Sequence, residues 1–451
     1  MNLLASLRSR LPTREDHLHL WRIAGPMTLT GLATPLLGMV DTFVMGHLEA
    51  AYYLGAVAVG STLIQLLFWG VGFLRMSTTA LAAQASHDSN KTRLVLLRSL
   101  VSAVLISTVV VLLREPLQHV SYTLLALEQE INLHSQLYFE ICIWSMPAVL
   151  LNMVIWGWCL GMQNARAPLY LALWINVVNM VLDVVLVFYF GLQTRGVAYA
   201  FLVANYSGLL LGVWILRHML QPMPRMTMYG LWDAPAWKNL FMVNHHLFVR
   251  TILLLFSFAF FMAQGANFGA VVLAANAVLI NFFYITAYGM DGFAHGLEVL
   301  CGRAVGVRDR QLFERVIASA LFWCVLIGIL LITFFAGAGT FIIGWLTSLP
   351  EVQGAASIYL PWLIALPVFC LLPFLMDGLF IGTTRTREMR NSMVLSIGVY
   401  LAIWFVTGSL GNHGLWLALT GFMIARSLTL GYYSWRIERG GGFVPRGLPR
   451  Y

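Results

Sequence analysis

Apolar residues fall in long unbroken runs that recur roughly every 35–40 positions along the whole chain. A helix that crosses a bilayer needs about 20 mostly apolar residues, and Val316 to Phe335 meets this without one charged side chain. Ten-residue stretches of alternating polarity would mark an outer-membrane barrel, and the runs here are continuous, so a barrel is excluded. The pattern predicts an all-α polytopic membrane protein of about twelve transmembrane helices. Their spans begin near His17, Tyr52, Leu94, Leu133, Pro168, Gly196, Trp237, Ala270, Val316, Gly354, Asn391 and Gly414.

Composition narrows this further. Of 451 residues 59% are hydrophobic and 10% charged, against about 45–50% and 25% in soluble domains, which rules out a soluble enzyme. The net charge of +8 is first a topology signal. With the amino terminus in the cytoplasm, 22 of the 27 Lys and Arg residues fall on inner segments, and only Arg114 and Arg195 on outer loops. This bias places both termini inside and favours an even number of spans. Nucleic acid is not an expected partner. The three remaining basic residues, Arg75, Arg250 and Arg426, lie within spans. Cys142, Cys159, Cys301, Cys324 and Cys370 sit in apolar runs without CxxC or metal-ligand spacing, so they are read as packing residues and no metal site is expected. Four arginines precede the first long apolar run, which does not fit a cleavable signal peptide.

The chain repeats itself. Leu54–Ala58 aligns with Leu273–Ala277, and Gly70 with Gly289, at an offset of 219; Gly157, Gly161 and Arg166 align with Gly378, Gly382 and Arg387 at 221. Six spans return the chain to its starting side, so the two lobes share one topology and are expected to be related by a pseudo-twofold axis along the membrane normal. The boundaries read as an N-lobe over 1–220, a cytoplasmic linker over 221–236 with Pro222, Pro224 and Pro235, and a C-lobe over 237–451.

Charges inside spans are costly and mark candidate functional sites. Asp183 shares its helix with Asn176 and Asn179. At 100° per residue the three lie on one stripe within about 60°, about 22 Å along the axis from Pro168 at 1.5 Å per residue. A local offset of 218 puts Val394, Ile397 and Leu401 at their counterparts, so a polar stripe stands where the other half is apolar. Asp41 lies near the outer end of the first span, at a depth the two acids can share. Tyr138 and Asn152, fourteen residues apart, come round to nearly one face and can complete the cluster. Two carboxylates in a low dielectric desolvate and repel one another, so such a pair exchanges protons as a unit. The alternative for Asp183 is a hydrogen bond to a neighbouring helix. Pro26 removes a backbone hydrogen bond below Asp41 and allows the helix to bend there.

The second half carries its own candidates. Asp291 and Asp377 are read either as a cation or substrate site, or as acids satisfied by helix ends broken near Gly289, Gly292 and Gly378. His295 follows Asp291 by one turn and is read as its partner or as a proton shuttle. Glu298 lies about one turn from Arg303, which favours a salt bridge or gate latch.

Together these residues resemble the multidrug and toxic compound extrusion (MATE) transporters, and within them the DNA-damage-inducible (DinF) branch. The resemblance covers essentially the whole chain. It is carried by Pro26, Asp41-Thr42 and Gly46; by Asn176, Asn179 and Asp183; by Asp291-Gly292-Phe293-Ala294-His295 with Glu298; and by Asp377-Gly378 with Phe380-Ile381-Gly382. It implies two six-helix lobes about a central cleft, alternating access, and efflux of small amphipathic or cationic toxic compounds driven by proton or sodium entry. It also implies a multi-pass protein of the bacterial inner membrane with no prosthetic cofactor. Asp41 would be the favoured cation-coupling residue, with Tyr138, Asn179 and Asp183 around it. One departure stands out: relatives commonly read Gly-Ala-Ala-x-Ala-Thr where this chain has Gly196-Val197-Ala198-Tyr199-Ala200-Phe201. A phenyl ring in place of a hydroxyl weakens a dehydrated sodium site, which counts oxygens as hard cations do, more than a proton site. The seventh span also lacks the intramembrane glutamate of the sodium-linked branch and offers Arg250 and Gln264. Protons are therefore favoured over sodium as coupling ion, and the chain is read as a monomer in the lipid bilayer. An intramembrane aspartyl protease would also need two acids at one depth, but neither Asp41 nor Asp183 follows Gly-x-Gly, and no catalytic residue is assigned. A channel would need a filter sequence or a ring-forming charge repeat, and neither is present. A lipid-linked precursor flippase of the same superfamily would need more basic residues than Arg75, Arg250 and Arg426 provide.

Overall fold

A computed structural model describes residues 12–46, 51–125, 128–221 and 230–444, with side chains given except at 32–43, 46, 51, 124 and 125. The described residues form fifteen α-helices and no strand. In chain order these are α1 Arg14–Gly46, α2 Ala51–Val71, α3 Phe73–Ala85, α4 Ser89–Leu112, α5 Arg114–Leu125, α6 Gln129–Cys142, α7 Met146–Gly161, α8 Arg166–Val184, α9 Gln193–Leu220, α10 Ala234–Ala266, α11 Ala270–Gly306, α12 Arg310–Leu346, α13 Pro350–Gly382, α14 Thr386–Thr407 and α15 Asn412–Arg439. Among the described residues eleven helical segments are long and apolar enough to cross a membrane. The 33-residue α1 adds a twelfth helix of sufficient length, so the architecture is that of an all-α polytopic membrane protein. Two spans are jointed: α2 and α3 meet at Gly72, and α6 and α7 at a 3₁₀ turn over Ile143–Ser145. The short α5 is too short to span, and the sequence pattern did not announce it as a separate helix.

Local chemistry sets the helix ends. Thr13 and Asp16 cap α1 reciprocally, the Asp16 carboxylate accepting from Thr13 N and the Thr13 hydroxyl from Asp16 N. Asp88 caps α4 by accepting from Asn90 N and Lys91 N, and Asp309, 221 residues on, caps α12 by accepting from Leu312 N. After α7 and α13 the chain turns through Gln163 and Thr384, both at positive φ and again 221 apart. Each turn is closed by a six-residue backbone bond, Asn164 N to Cys159 O and Arg385 N to Phe380 O, both 2.9 Å.

The chain divides into two compact units, Leu29–Phe241 and Met242–Tyr451 together with Met1–Thr28. In the first, α7 crosses α3 so closely that a Cβ on Gly157 would lie 2.5 Å from Arg75 O, and one on Gly161 2.7 Å from Thr79 O. The second repeats this crossing between α13 and α11, with Gly378 on Ala294 O and Gly382 on Glu298 O at 2.3 and 2.2 Å. Backbones approach this closely only where a side chain is absent, so the sequence repeat is a repeat of helix crossings. The second unit centres on α11. Around it pack α13, α12 and the first half of α1, whose Leu20, Ala24 and Thr28 meet Gly296 and Gly292. Past α15, Gly441 and Gly442 turn at positive φ and seat Phe443 against Phe313 and Phe380, each at 5.7 Å between ring centroids. Of the linker, residues 222–229 lie outside the described residues. Its end is held in the first unit by α4, where Arg98 donates to the carbonyls of Gly230 and Leu231.

Candidate functional site

The polar stripe of the first unit lies on one uninterrupted helix. α8 buries Asn179 and Asp183, half-buries Asn176, and leaves Val177, Val181 and Val184 exposed on the other side. The apolar face is turned outward and the polar face inward, the reverse of a soluble helix and the arrangement expected in lipid. Asp183 is fully buried. Asn179 Nδ2 finds no hydrogen-bond partner among the described residues. Immediately after Asp183 the helix widens into a π-turn over Val185–Tyr189, closed by Phe190 N to Val185 O at 3.2 Å. Such single π-turns recur at functional sites, and nothing in the hydropathy pattern signals this one.

Tyr138 is buried on α6, its ring against Gly60, where a Cβ would come within 2.7 Å. Asn152 stands on α7 and joins it to α9: Nδ2 donates to Asn205 O at 2.9 Å, and the side chain lies over Gly208 and Gly212. The 3₁₀ turn over Ile143–Ser145 stands between Tyr138 and Asn152, so their fourteen-residue spacing no longer measures a shared face. Asn152 acts as a bond between helices, although its Oδ1 has no partner among the described residues. Phe201 stacks on Phe68 at 5.8 Å. Asp41 lies on α1, a helix that passes Pro26 without ending; the Asp41 side chain falls outside the described residues.

In the second unit the broken-helix reading of the acids is corrected. α11 and α13 run without interruption through Gly289, Gly292 and Gly378, and Asp377 is met by side chains instead. Oδ2 of Asp377 accepts from Arg250 of α10 and, at 2.8 Å, from Arg426 of α15, all three side chains being buried. The sequence showed these three charges within spans but not that they meet. Glu298 is buried and bonds His295 Nδ1 at 3.2 Å, while Arg303 is exposed. Asp291 is half-buried one turn before His295. A reciprocal pair, Asn276 and Asn412 at 2.8 and 2.9 Å with Trp416 Nε1 added at 3.1 Å, ties α11 to α15. Among the described residues no three His, Cys, Asp or Glu side chains gather as metal ligands.

Comparison with known proteins gives this arrangement a family. The MatE family model matches twice, over residues 26–185 and 247–407, and the two matches begin 221 residues apart. The chain is 38% identical to DNA damage-inducible protein F of Escherichia coli over 91% of its own length and 90% of that protein. It is 24% identical to a probable multidrug resistance protein NorM of Photorhabdus laumondii, over 90% and 92% of the two chains. The fold is that of a solved MATE in complex with MaD5, with a TM-score of 0.85 at 16% identity over 95% of this chain and 99% of that one. A MATE P26A mutant superposes with a TM-score of 0.84 over 94% and 96% of the chains. With the repeat, the one-sided polar stripe and the two family matches in agreement, the chain belongs to the MatE family of multidrug and toxic compound extrusion transporters, and it is a membrane transporter rather than an enzyme.

Proposed function

We propose that this protein is a proton-driven antiporter of the bacterial inner membrane, with both termini cytoplasmic, exporting small amphipathic or cationic compounds by alternating access. The observation that carries the reading is Asp183, fully buried on the polar face of α8 beside Asn179 and directly before a π-turn. A carboxylate buried in a membrane-spanning helix is costly, and a change of its charge state during transport gives it a use. The coupling group is Asp41 with Asp183, supported by Asn176, Asn179 and Tyr138, and by Asn152 as a helix tie. By contact, α1 belongs to the second unit up to Thr28 and to the first from Leu29, so a bend near Pro26 moves Asp41. Protonation permits the bend and expels substrate, and release of the proton inward resets the helix. Substrate and proton then disfavour each other reciprocally.

Two features favour protons over sodium. Phe201, stacked on Phe68, offers a ring where a hydroxyl would add an oxygen, and a dehydrated cation needs several oxygens. Asp377 in the second unit is engaged by two arginines and is a poor cation ligand in that state. Efflux of a fluorescent cation from proteoliposomes decides the matter. An imposed pH gradient should drive it and a sodium gradient alone should not; transport under sodium alone, unaffected by pH, refutes proton coupling.

A further inference from the structure

We propose that the second unit contains a binding site for an anionic oxygen group, a carboxylate or a phosphate, formed by Arg250 and Arg426 around Asp377. Two guanidinium groups share a single carboxylate oxygen, which leaves one net positive charge among buried side chains of membrane-spanning helices. An uncompensated charge there is expensive; one arginine would neutralise Asp377, and the second is surplus to charge balance.

The unused hydrogen-bonding capacity points the same way. A guanidinium presents five N–H donors in a rigid fork that fits the paired oxygens of a carboxylate or phosphate. Arg250 Nε is buried and has no partner among the described residues. Arg426 Nη1 faces only the Met423 sulfur at 3.6 Å, a weak acceptor, and its guanidinium lies 5.6 Å from the centre of the Phe422 ring. Asp377 Oδ1 is likewise buried without a partner among the described residues, but the donors of two guanidinium groups outnumber that one oxygen, and the apolar surroundings suit an acid with an apolar body. The repeat supplies no such group in the first half, where Trp156 and Asn205 occupy the positions equivalent to Asp377 and Arg426 at the offset of 221. The charge cluster is therefore an addition to the shared framework rather than part of it.

The test is independent of the coupling reading, because binding is measured with no gradient applied. The full-length protein, in nanodiscs of phosphatidylcholine alone, is titrated with sodium benzoate at constant ionic strength while its thermal unfolding is followed. Wild type should show a saturable upward shift. Arg250→Met leaves a neutral Arg426–Asp377 pair, so it should fold and bind benzoate about tenfold more weakly or worse. Asp377→Asn removes the competing carboxylate and should bind more tightly than wild type, an outcome that a purely structural clamp does not produce. Repeating the titration with phosphatidylglycerol in the nanodisc assigns the natural source: loss of the benzoate response identifies a lipid phosphate on the same arginines, and its persistence identifies a soluble carboxylate. The proposal is overturned if wild type gives no saturable shift with either benzoate or phosphatidylglycerol, or if both variants bind benzoate as wild type does.

Discussion

The sharpest test of the helix framework is Gly378→Ala. Its new Cβ would stand 2.3 Å from Ala294 O, 3.0 Å from Ala294 C and 3.1 Å from Ala294 Cα. Ordinary van der Waals contact begins about 1 Å farther out. The obstacle is backbone on a neighbouring helix, so no rotamer change relieves it. α13 and α11 must separate, loosening the neighbouring Gly382 crossing as well, and overpacking of this kind costs about 1–3 kcal/mol. Gly289→Ala is the internal control. It also lies in the middle of a helix, but its Cβ would meet only the tips of Ile327 and Leu331 at 3.7 Å. There the helix propensity of alanine should leave stability unchanged or raise it by up to about 1 kcal/mol. Thermal unfolding of the two purified variants in detergent, with a reversible denaturant titration for the energies, measures the contrast. The first half repeats it: Gly157→Ala, against Arg75 O, should destabilise, and Gly70→Ala, with nothing within 4 Å, should not. If Gly378→Ala unfolds with Gly289→Ala and wild type to within about 0.5 kcal/mol, the close crossing is not what holds the helices together.

Other expectations bear on function and local stability. Asp183→Asn and Asp41→Asn should each abolish resistance to toxic cations in a pump-deficient host while membrane expression stays normal; wild-type resistance in either refutes its place in coupling. Asp88→Ala should cost about 1 kcal/mol through loss of the α4 cap. The Lys91 backbone N–H that Asp88 accepts, aided by the Lys91 ammonium, holds this carboxyl below its ordinary value. Its stabilisation is thus complete above the unfolded carboxyl's range and fades as pH falls through the folded value; an Asp88→Ala defect that is constant down to strongly acid pH contradicts this. Phe443→Ala removes a ring buried between Phe313 and Phe380. It should release the segment after α15 to rapid hydrogen exchange without changing global unfolding, because a terminal segment opens locally; unchanged exchange over 440–444 refutes the docking.

The readable parts of the chain were those where the backbone dictates residue type. Hydropathy located the spans, and the glycines at 157, 161, 378 and 382 carried the repeat because only glycine fits those crossings. The polar stripe on α8 was legible because Asn176, Asn179 and Asp183 share one unbroken helix. Spacing failed where a helix was interrupted, as at Ile143–Ser145 between Tyr138 and Asn152. It also gave the depth of a charge but not its bearing among neighbouring helices. Arg250, Asp377 and Arg426 come from α10, α13 and α15, and no local pattern encodes that they meet. The π-turn after Asp183 was equally silent, since Val185–Tyr189 reads as ordinary apolar helix.

The burial of all five cysteines has a practical use. Because none presents a thiol to a reagent in this state, a pair of cysteines introduced at exposed positions outside the spans, such as Trp232 and Leu349, becomes the addressable pair of handles for spin labels or fluorophores. Distances within a working pump are then obtainable on the native background, and any new reactivity of Cys142 or Cys370 during turnover would itself report a rearrangement of the helices around it.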